Sequence, residues 1–468
     1  RALPRAMESR IDAMTEKPII VWLDRDLRLS ANLALYEAAR DSCVLPVYIW
    51  DPAMEGDWLP GEAWQWWQGQ SLRALEKSLH QRHCPLVIRR GDAQKVLKKL
   101  IDETGAGALY FNRRYEPTAA SRQKKITNAL EKRDIEVRSF SGFLLIEPWK
   151  IETKSGGPYK VFTPYYRACG DILRDLPEPF STPETLSHYP GDIDTGSIDD
   201  LPFPAEWPWS DHMQDWLTPG EEGAMARLES FLENVLASYD KNRDRPDLDG
   251  VSCMSPYLAH GDISPLQIYH AARNHMDRLG GTRLLESGEA YLRQLVWREF
   301  AWHLLHHFPK TPDQPLYEKF AKFPWKQDVE VLRRWQEGRT GFPIIDAGMI
   351  QLRKSGWMHN RVRMLVASFL TKDLLIPWQE GARWFWDCLV DADLGNNTLG
   401  WQWTAGCGAD AAPYFRIFNP MTQAKKFDPD EAYVKRWLAD AEDTSEPLID
   451  HAEARERALA AYETIKGD

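Results

Sequence analysis

Residues 356–420 read GWMHNRVRMLVASFLTKDLLIPWQEGARWFWDCLVDADLGNNTLGWQWTAGCGADAAPYFRIFNP. Trp357, Trp378, Trp384, Trp386, Trp401 and Trp403 stand here among Asn360, Arg363, Asp391, Asp393, Asn396 and Asn397. A buried indole needs a partner for its N–H, and a buried charge needs a counter-charge. A segment that accepts both demands is expected to surround a large, flat molecule with polar edges rather than simply fill space. Its apolar positions recur at helical spacing, as they do in GAMARLESFLENVLASYD, SPLQIYHAARNHMD, SGEAYLRQLVWREFAWHLLHHF and VEVLRRWQEG. Residues 221–468 therefore predict an all-helical domain.

Outward toward the N-terminus the pattern changes. PIIVWLD (18–24) reads as a buried strand, followed by helix ANLALYEAARD and strand VLPVYIW. Helix WQWWQGQSLRALEKSLHQRH, strand PLVIRRG, helix DAQKVLKKLIDETG and strand ALYFN continue the alternation. That order predicts an α/β domain over 18–145 built on a doubly wound parallel sheet. No G-x-G-x-x-G follows the first strand, so no dinucleotide is held there in the Rossmann manner. Residues 146–220, rich in Pro, Gly, Ser and acidic side chains, read as a long inter-domain connector over the surface. Residues 1–17 lack an apolar stretch and read as a disordered lead or an expression remnant, not a secretory signal.

Composition excludes several classes. The six cysteines are scattered without a C-x-x-C pair, which argues against a zinc ribbon, a disulfide framework or a metal cluster. Single thiols suit a reducing cytosol, so a cytoplasmic location is expected. No apolar run reaches membrane-spanning length. The net charge of −11 argues against a globally basic DNA binder, while a local arginine patch remains compatible with phosphate contacts. Arg243, Arg298, Arg361, Arg363 and Arg416 lie within the motif segments.

The run at 356–420 resembles the flavin-binding core of the DNA photolyase and cryptochrome family. Four further stretches match in the same order: VWLDRDLRLSANLAL (21–35), YDKNRDRPDLDGVSCMSPYLAHGDISP (239–265), LVWREFAWHLL (295–305) and WQEGRTGFPIIDAGM (335–349). The likeness spans nearly the whole chain and is greatest to the microbial cyclobutane pyrimidine dimer photolyases. It implies FAD in the helical domain and an antenna chromophore, a folate or a deazaflavin, in the α/β domain.

The resemblance also implies roles residue by residue. Tyr239, Val251, Ser252, Cys253, Met254 and Ser255 match the phosphate-side FAD loop, with Val251 where Thr is frequent. Tyr291, Arg298, Asn360, Arg363, Asp391, Asp393 and Asn397 complete the cofactor contacts. Arg363 and Asp391 form a charge pair beside the ring, and Asn397 faces flavin N5, where an amide can accept a hydrogen bond. Trp401, Trp378 and Trp325 match an electron-transfer chain from flavin to surface, and Trp386 offers a second branch. No metal is implied.

On the DNA side, Trp297 and Trp403 resemble aromatic walls that stack flipped-out bases. Arg243, Asn360, Arg361, Arg416 and Gln423 match positions that meet DNA around the pocket. Gln294 departs from the Glu of cyclobutane-dimer enzymes and agrees with (6-4) photolyases. Met364, in contrast, agrees with the cyclobutane-dimer group. For the antenna, NRRYEPTAASRQKK (112–125) aligns with a folate-binding region but carries Thr118 and Ala119 in place of its polar pair. Trp64, Trp66 and Trp67 read as packing residues, with antenna stacking as the alternative. The implied function is light-driven repair of cyclobutane pyrimidine dimers in damaged DNA. The alternatives are (6-4) repair or a cryptochrome photoreceptor without repair. A monomer with no obligatory protein partner is expected.

Overall fold

The structure, a computed structural model, describes residues 17–183, 185–206, 217–411, 416–439 and 446–466. The expected lead at 1–17 lies, apart from Lys17, outside the described residues. Strands β1 (Ile19–Leu23), β2 (Val44–Trp50), β3 (Val87–Arg90), β4 (Ala108–Asn112) and β5 (Glu136–Phe140) form one sheet. It is wholly parallel, in the order β3-β2-β1-β4-β5. Helices α1 (Leu33–Asp41), α2 (Glu62–His80), α3 (Ala93–Thr104) and α4 (Pro117–Glu131) make the crossovers. Every position of β1, β2 and β4 is buried, as strands covered on both faces require. Local signals set the helix ends. The Asn32 side chain accepts the Leu35 amide before α1, and α3 starts on Asp92 and stops at Gly105, whose φ is 67°.

Strand order reverses between β1 and β4, where doubly wound sheets hold ligands. Ion pairs fill that crevice here. Arg114 meets Asp24 and Glu116 at 2.8 Å and Glu55 at 3.0 Å, while Arg25 joins Glu55 and Glu116. Trp64, Trp66 and Trp67 of α2 are all buried, which is the packing reading of that helix.

The stretch from 146 to 220 is more structured than its composition suggests. Helix α5 (Phe162–Arg174) lies within it and buries Phe162, Tyr165, Cys169 and Leu173 at helical spacing. From 221 onward every regular element among the described residues is helical. These are α6 (Glu221–Asn234), α7 (Tyr239–Asn242), α8 (Ser255–His260), α9 (Pro265–Leu279) and α10 (Thr282–His307). They continue with α11 (Val329–Gln336), α12 (Pro343–Ser355), α13 (Asn360–Ser368) and a π-helical turn at Phe369–Asp373. The last are α14 (Trp378–Cys388), α15 (Leu394–Ala405), α16 (Pro420–Phe427), α17 (Ala432–Leu438) and α18 (His451–Glu463). The long α10 runs through the middle, against α5, α7, α9 and α15.

The end of α8 plugs the helical domain into the sheet domain. Gly261 takes φ 73°, and a Cβ there would lie 2.1 Å from Arg25 O, so only glycine fits. Arg28 reaches Gly261 O at 2.9 Å and Gly142 O at 2.8 Å. Asp262 Oδ2 accepts from Trp67 Nε1 at 2.9 Å, Ser71 Oγ at 3.0 Å and Gly220 N at 3.3 Å. Asp262→Ala strands these buried donors together, and should lower the unfolding free energy by about 3 kcal/mol. The check is the denaturant midpoint followed by tryptophan fluorescence; an unchanged midpoint contradicts this account of the interface.

Candidate cofactor and DNA site

Helices α10 and α15 meet at Asp393. Its Oδ1 accepts the Asn396 amide at 2.8 Å and caps α15, while its Oδ2 accepts Trp302 Nε1 at 3.2 Å and faces Arg298 Nε at 3.8 Å. Arg298 donates to Phe143 O at 2.8 Å and lies 4.2 Å from the Phe143 ring centre. Neighbouring Glu299 accepts the Ile146 amide at 3.0 Å, and burial pushes its carboxyl up to about 7 against the pull of Arg298.

Helix α13 starts on His359, whose Nδ1 accepts the Arg361 amide at 3.1 Å. Burial lowers this imidazole to about 4, so it caps as a neutral acceptor at neutral pH. One turn later Arg363 donates to Met358 O and to Asp391 Oδ2, both at 2.7 Å. The Asp391 side chain is 2% exposed and that of Arg363 24%, so the guanidinium supplies a counter-charge that water cannot. Asn360 and Met364 share a face, with Asn360 Nδ2 3.9 Å from Met364 Sδ. Asn397 Nδ2 donates to Ala382 O at 3.0 Å, which fixes the amide and commits its donor end.

Tyr239 and Tyr291 are buried edge to face, 5.3 Å apart. Next to them, the 251–255 run bends at Cys253, whose φ is 54°. Burial pushes that thiol up to about 12. Arg227 of α6 holds the run from outside, donating to Val251 O and Ser252 O at 3.0 Å and pairing with Asp249 at 2.9 Å. Met254 is buried, and Ser255 Oγ accepts Trp357 Nε1 at 3.4 Å. Arg227 and Trp302 escaped the sequence reading. For Trp302 a second indole one turn beyond Arg298 was the available signal; Arg227, on a helix with four glutamates, had none nearby.

Trp401 and Trp378 are buried and Trp325 is half-buried. Trp401 presses on α14 at Gly381, where a Cβ would lie 2.1 Å from its ring, so glycine makes the close approach to the Trp378 helix. Trp325 lies beside the turn before Trp378, since Lys326 N donates to Leu375 O at 2.8 Å. Trp386 instead points to the sheet domain, donating to Trp58 O and Leu59 O at 3.0 Å.

Trp297 and Trp403 are both half-buried, on α10 and α15. Gln294 bends back onto Ala290 O at 3.1 Å. Arg361 pairs with Asp244 at 2.9 Å and stacks 4.3 Å from the Phe427 ring centre. Arg243 lies 6.0 Å from the Tyr239 ring centre, Arg416 is exposed, and Gln423 is half-buried. The structure thus separates a tight cofactor cluster from a looser rim.

Among the described residues, several buried polar atoms of the cluster have no protein partner, among them Arg298 Nη2, Asp391 Oδ1, Trp401 Nε1 and the Tyr291 hydroxyl. Orphaned groups of this kind mark where a ligand completes the hydrogen bonding. Unsatisfied donors and acceptors together suit the polar edge of a flat heterocycle, so the residues present fit a flavin.

Comparison with known proteins agrees. The family model described as the FAD binding domain of DNA photolyase matches residues 291–461, and that described as DNA photolyase matches 19–184. A deoxyribodipyrimidine photo-lyase of Agrobacterium fabrum is 41% identical, over 96% of this chain and 98% of its own. Cryptochrome-2 of Arabidopsis thaliana is 37% identical, over 90% of this chain and 70% of its own. A solved bacterial class III photolyase from Agrobacterium tumefaciens superposes with a TM-score of 0.90 at 40% identity, over 97% of this chain and 98% of its own.

The Arg363–Asp391 pair has a measurable signature. In flavin-free protein, Arg363→Leu leaves a buried carboxylate unpaired and should lower the unfolding free energy by about 2 kcal/mol. Adding Asp391→Leu should restore most of that loss, because no charge is then left buried. Equal destabilisation in the single and double variants contradicts the pair's assigned part.

Proposed function

The chain belongs to the DNA photolyase and cryptochrome family, and from that premise we propose that it repairs cyclobutane pyrimidine dimers in DNA, driven by light, with reduced FAD as electron donor. The observation that carries this reading is the placing of Trp297 and Trp403 on the two helices that also supply Arg298, Asn397 and Trp401. A signalling flavoprotein needs the second set and has no use for a pair of half-exposed indoles at its rim.

Reduced FAD, when bound and excited by light, supplies the electron that opens the cyclobutane ring and takes it back once both inter-base bonds have broken. The chain's residues do the rest. Arg298, Arg363, Asp391 and Asp393 hold fixed charges around the ring, and the 251–255 run with Tyr239 and Tyr291 takes the phosphate side. With its nitrogen committed to Ala382 O, Asn397 would offer its oxygen as the acceptor toward a bound flavin. Trp297 and Trp403 stack the extruded pyrimidines, whose unstacking costs least at a lesion. Asn360, Gln294 and Met364 face the lesion, while Arg243, Arg361, Arg416 and Gln423 meet the DNA around it. Trp325, Trp378 and Trp401 would pass electrons inward from an external reductant at the surface, each indole being oxidised by the next one in and re-reduced by the next one out. A folate or deazaflavin antenna belongs to the same reading.

Gln294 favours a second reading. A neutral amide folded onto its own helix removes the charged acceptor expected for a cyclobutane dimer, and suits (6-4) repair or a photoreceptor. Photoreduced protein, illuminated with oligonucleotides carrying one or the other lesion, separates the three. Recovery of thymine absorbance from the cyclobutane dimer is expected. Recovery only from the (6-4) product moves the assignment to that lesion, and recovery from neither makes the protein a cryptochrome. Trp401→Phe should abolish flavin photoreduction and spare repair by chemically reduced protein; loss of both refutes the relay.

A further inference from the structure

Helix α5 has no part in the function assigned so far. Yet its first residue, Phe162, is buried and lies flat against Trp297, with ring centres 3.6 Å and planes 7° apart. Phe300, three residues along α10, meets both rings edge-on at 5.8 Å. One face of the Trp297 indole is thus fixed by protein, while the side chain stays half-exposed.

The other aromatic wall is tied to the same piece of chain. Trp403 Nε1 donates to Asp410 O at 3.1 Å, and Asp410 N donates to Lys160 O at 3.2 Å. Asp410 takes φ 53°, in the left-handed region that Asp and Asn visit and β-branched residues resist. Burial raises its carboxyl, while the Phe162 backbone amide and Arg293 favour the charged form.

We propose that Phe162 and the Asp410 turn are positioning residues for lesion capture, an inference that rests on the DNA-repair reading above. Phe162 fixes the plane of Trp297 and the Asp410 turn fixes Trp403. Both are joined to residues 160–162, so the spacing of the two walls is set before DNA arrives. A preset gap between indoles takes a pair of unstacked pyrimidines without first ordering the side chains that receive them.

The test uses full-length flavin-loaded protein and oligonucleotides with and without a cyclobutane dimer. Phe162→Leu and Asp410→Val should each weaken lesion binding ~10-fold, on the order of one aromatic pair. KM should rise by a similar factor while kcat stays within about twofold. Photoreduction of the flavin and affinity for undamaged duplex should not change. Phe162→Tyr and Asp410→Asn, which keep the ring face and the turn, should behave as wild type. If Phe162→Leu does not fold, Asp410→Val carries the same comparison. Wild-type lesion preference retained in both variants overturns this inference alone, as does an equal loss for undamaged DNA. A wild-type protein with no lesion preference overturns the repair reading and this inference with it.

Discussion

A carboxylate buried between two helices must collect donors from both, and Asp393 does so with one oxygen for each. The Asn396 amide takes Oδ1, while Trp302 Nε1 and Arg298 take the side of Oδ2. Losing either set leaves a charge in a low dielectric, so the crossing of α10 and α15 is fixed by electrostatics as much as by packing. Everything that α15 carries inherits that fixed start: Asn397 one turn in, Trp401 two turns in, and Trp403 beyond it. Two residues earlier, Asp391 is bound by Arg363 from α13. The loop 391–393 is therefore held from two helices at once, and a ring bound against it meets charges that need no rearrangement.

The sheet domain takes part in that constraint. His260 bonds Gln68 of α2 at 2.7 Å and Val390 O at 2.9 Å, and Val390 immediately precedes Asp391. A displacement of α2 thus reaches the 391–393 loop through one imidazole. Gly261 and Asp262, directly after His260, are packed closely against Arg25, Trp67 and Ser71. The ion pairs of Arg25 and Arg114 in the sheet crevice serve the same end, since they hold the loops after β1, β2 and β4 in one arrangement.

Much of this was legible from residue types alone. Alternating strand and helix signals specify the parallel sheet, because the central strands β1, β2 and β4 are buried on both faces and α1 and α3 start on side-chain caps. DADLGNNT gives itself away as more than a turn, since two acidic residues between Trp-rich helices need buried partners. What escaped depends on contacts distant in sequence. Helix α5 offers only a four-residue apolar stripe amid Pro, Gly and acidic neighbours, and its face acquires meaning only when Trp297 lies on it. Asp410 looks like an ordinary turn residue until Trp403 and Lys160 are found on its two main-chain groups. Arg227 is one arginine on an exposed-looking helix, and nothing local says that it grips the carbonyls at 251 and 252.

Charge and stacking divide the work at the rim. The chain's net charge is −11, and Arg361 spends part of its charge on Asp244 while its plane rests on Phe427. On the DNA-repair reading, phosphate contact would fall to a few side chains, and few contacts release few counterions. Affinity built that way discriminates poorly between damaged and intact duplex, since every duplex offers the same backbone. On that reading the discriminating energy would have to come from the bases, and the two indoles are the groups placed to supply it. Asp410 engages the Trp403 N–H, and Phe162 covers one face of Trp297. A wall held on one side gives up little freedom when a base closes on the other, and on the DNA-repair reading that is what would let a weakly charged surface choose a lesion.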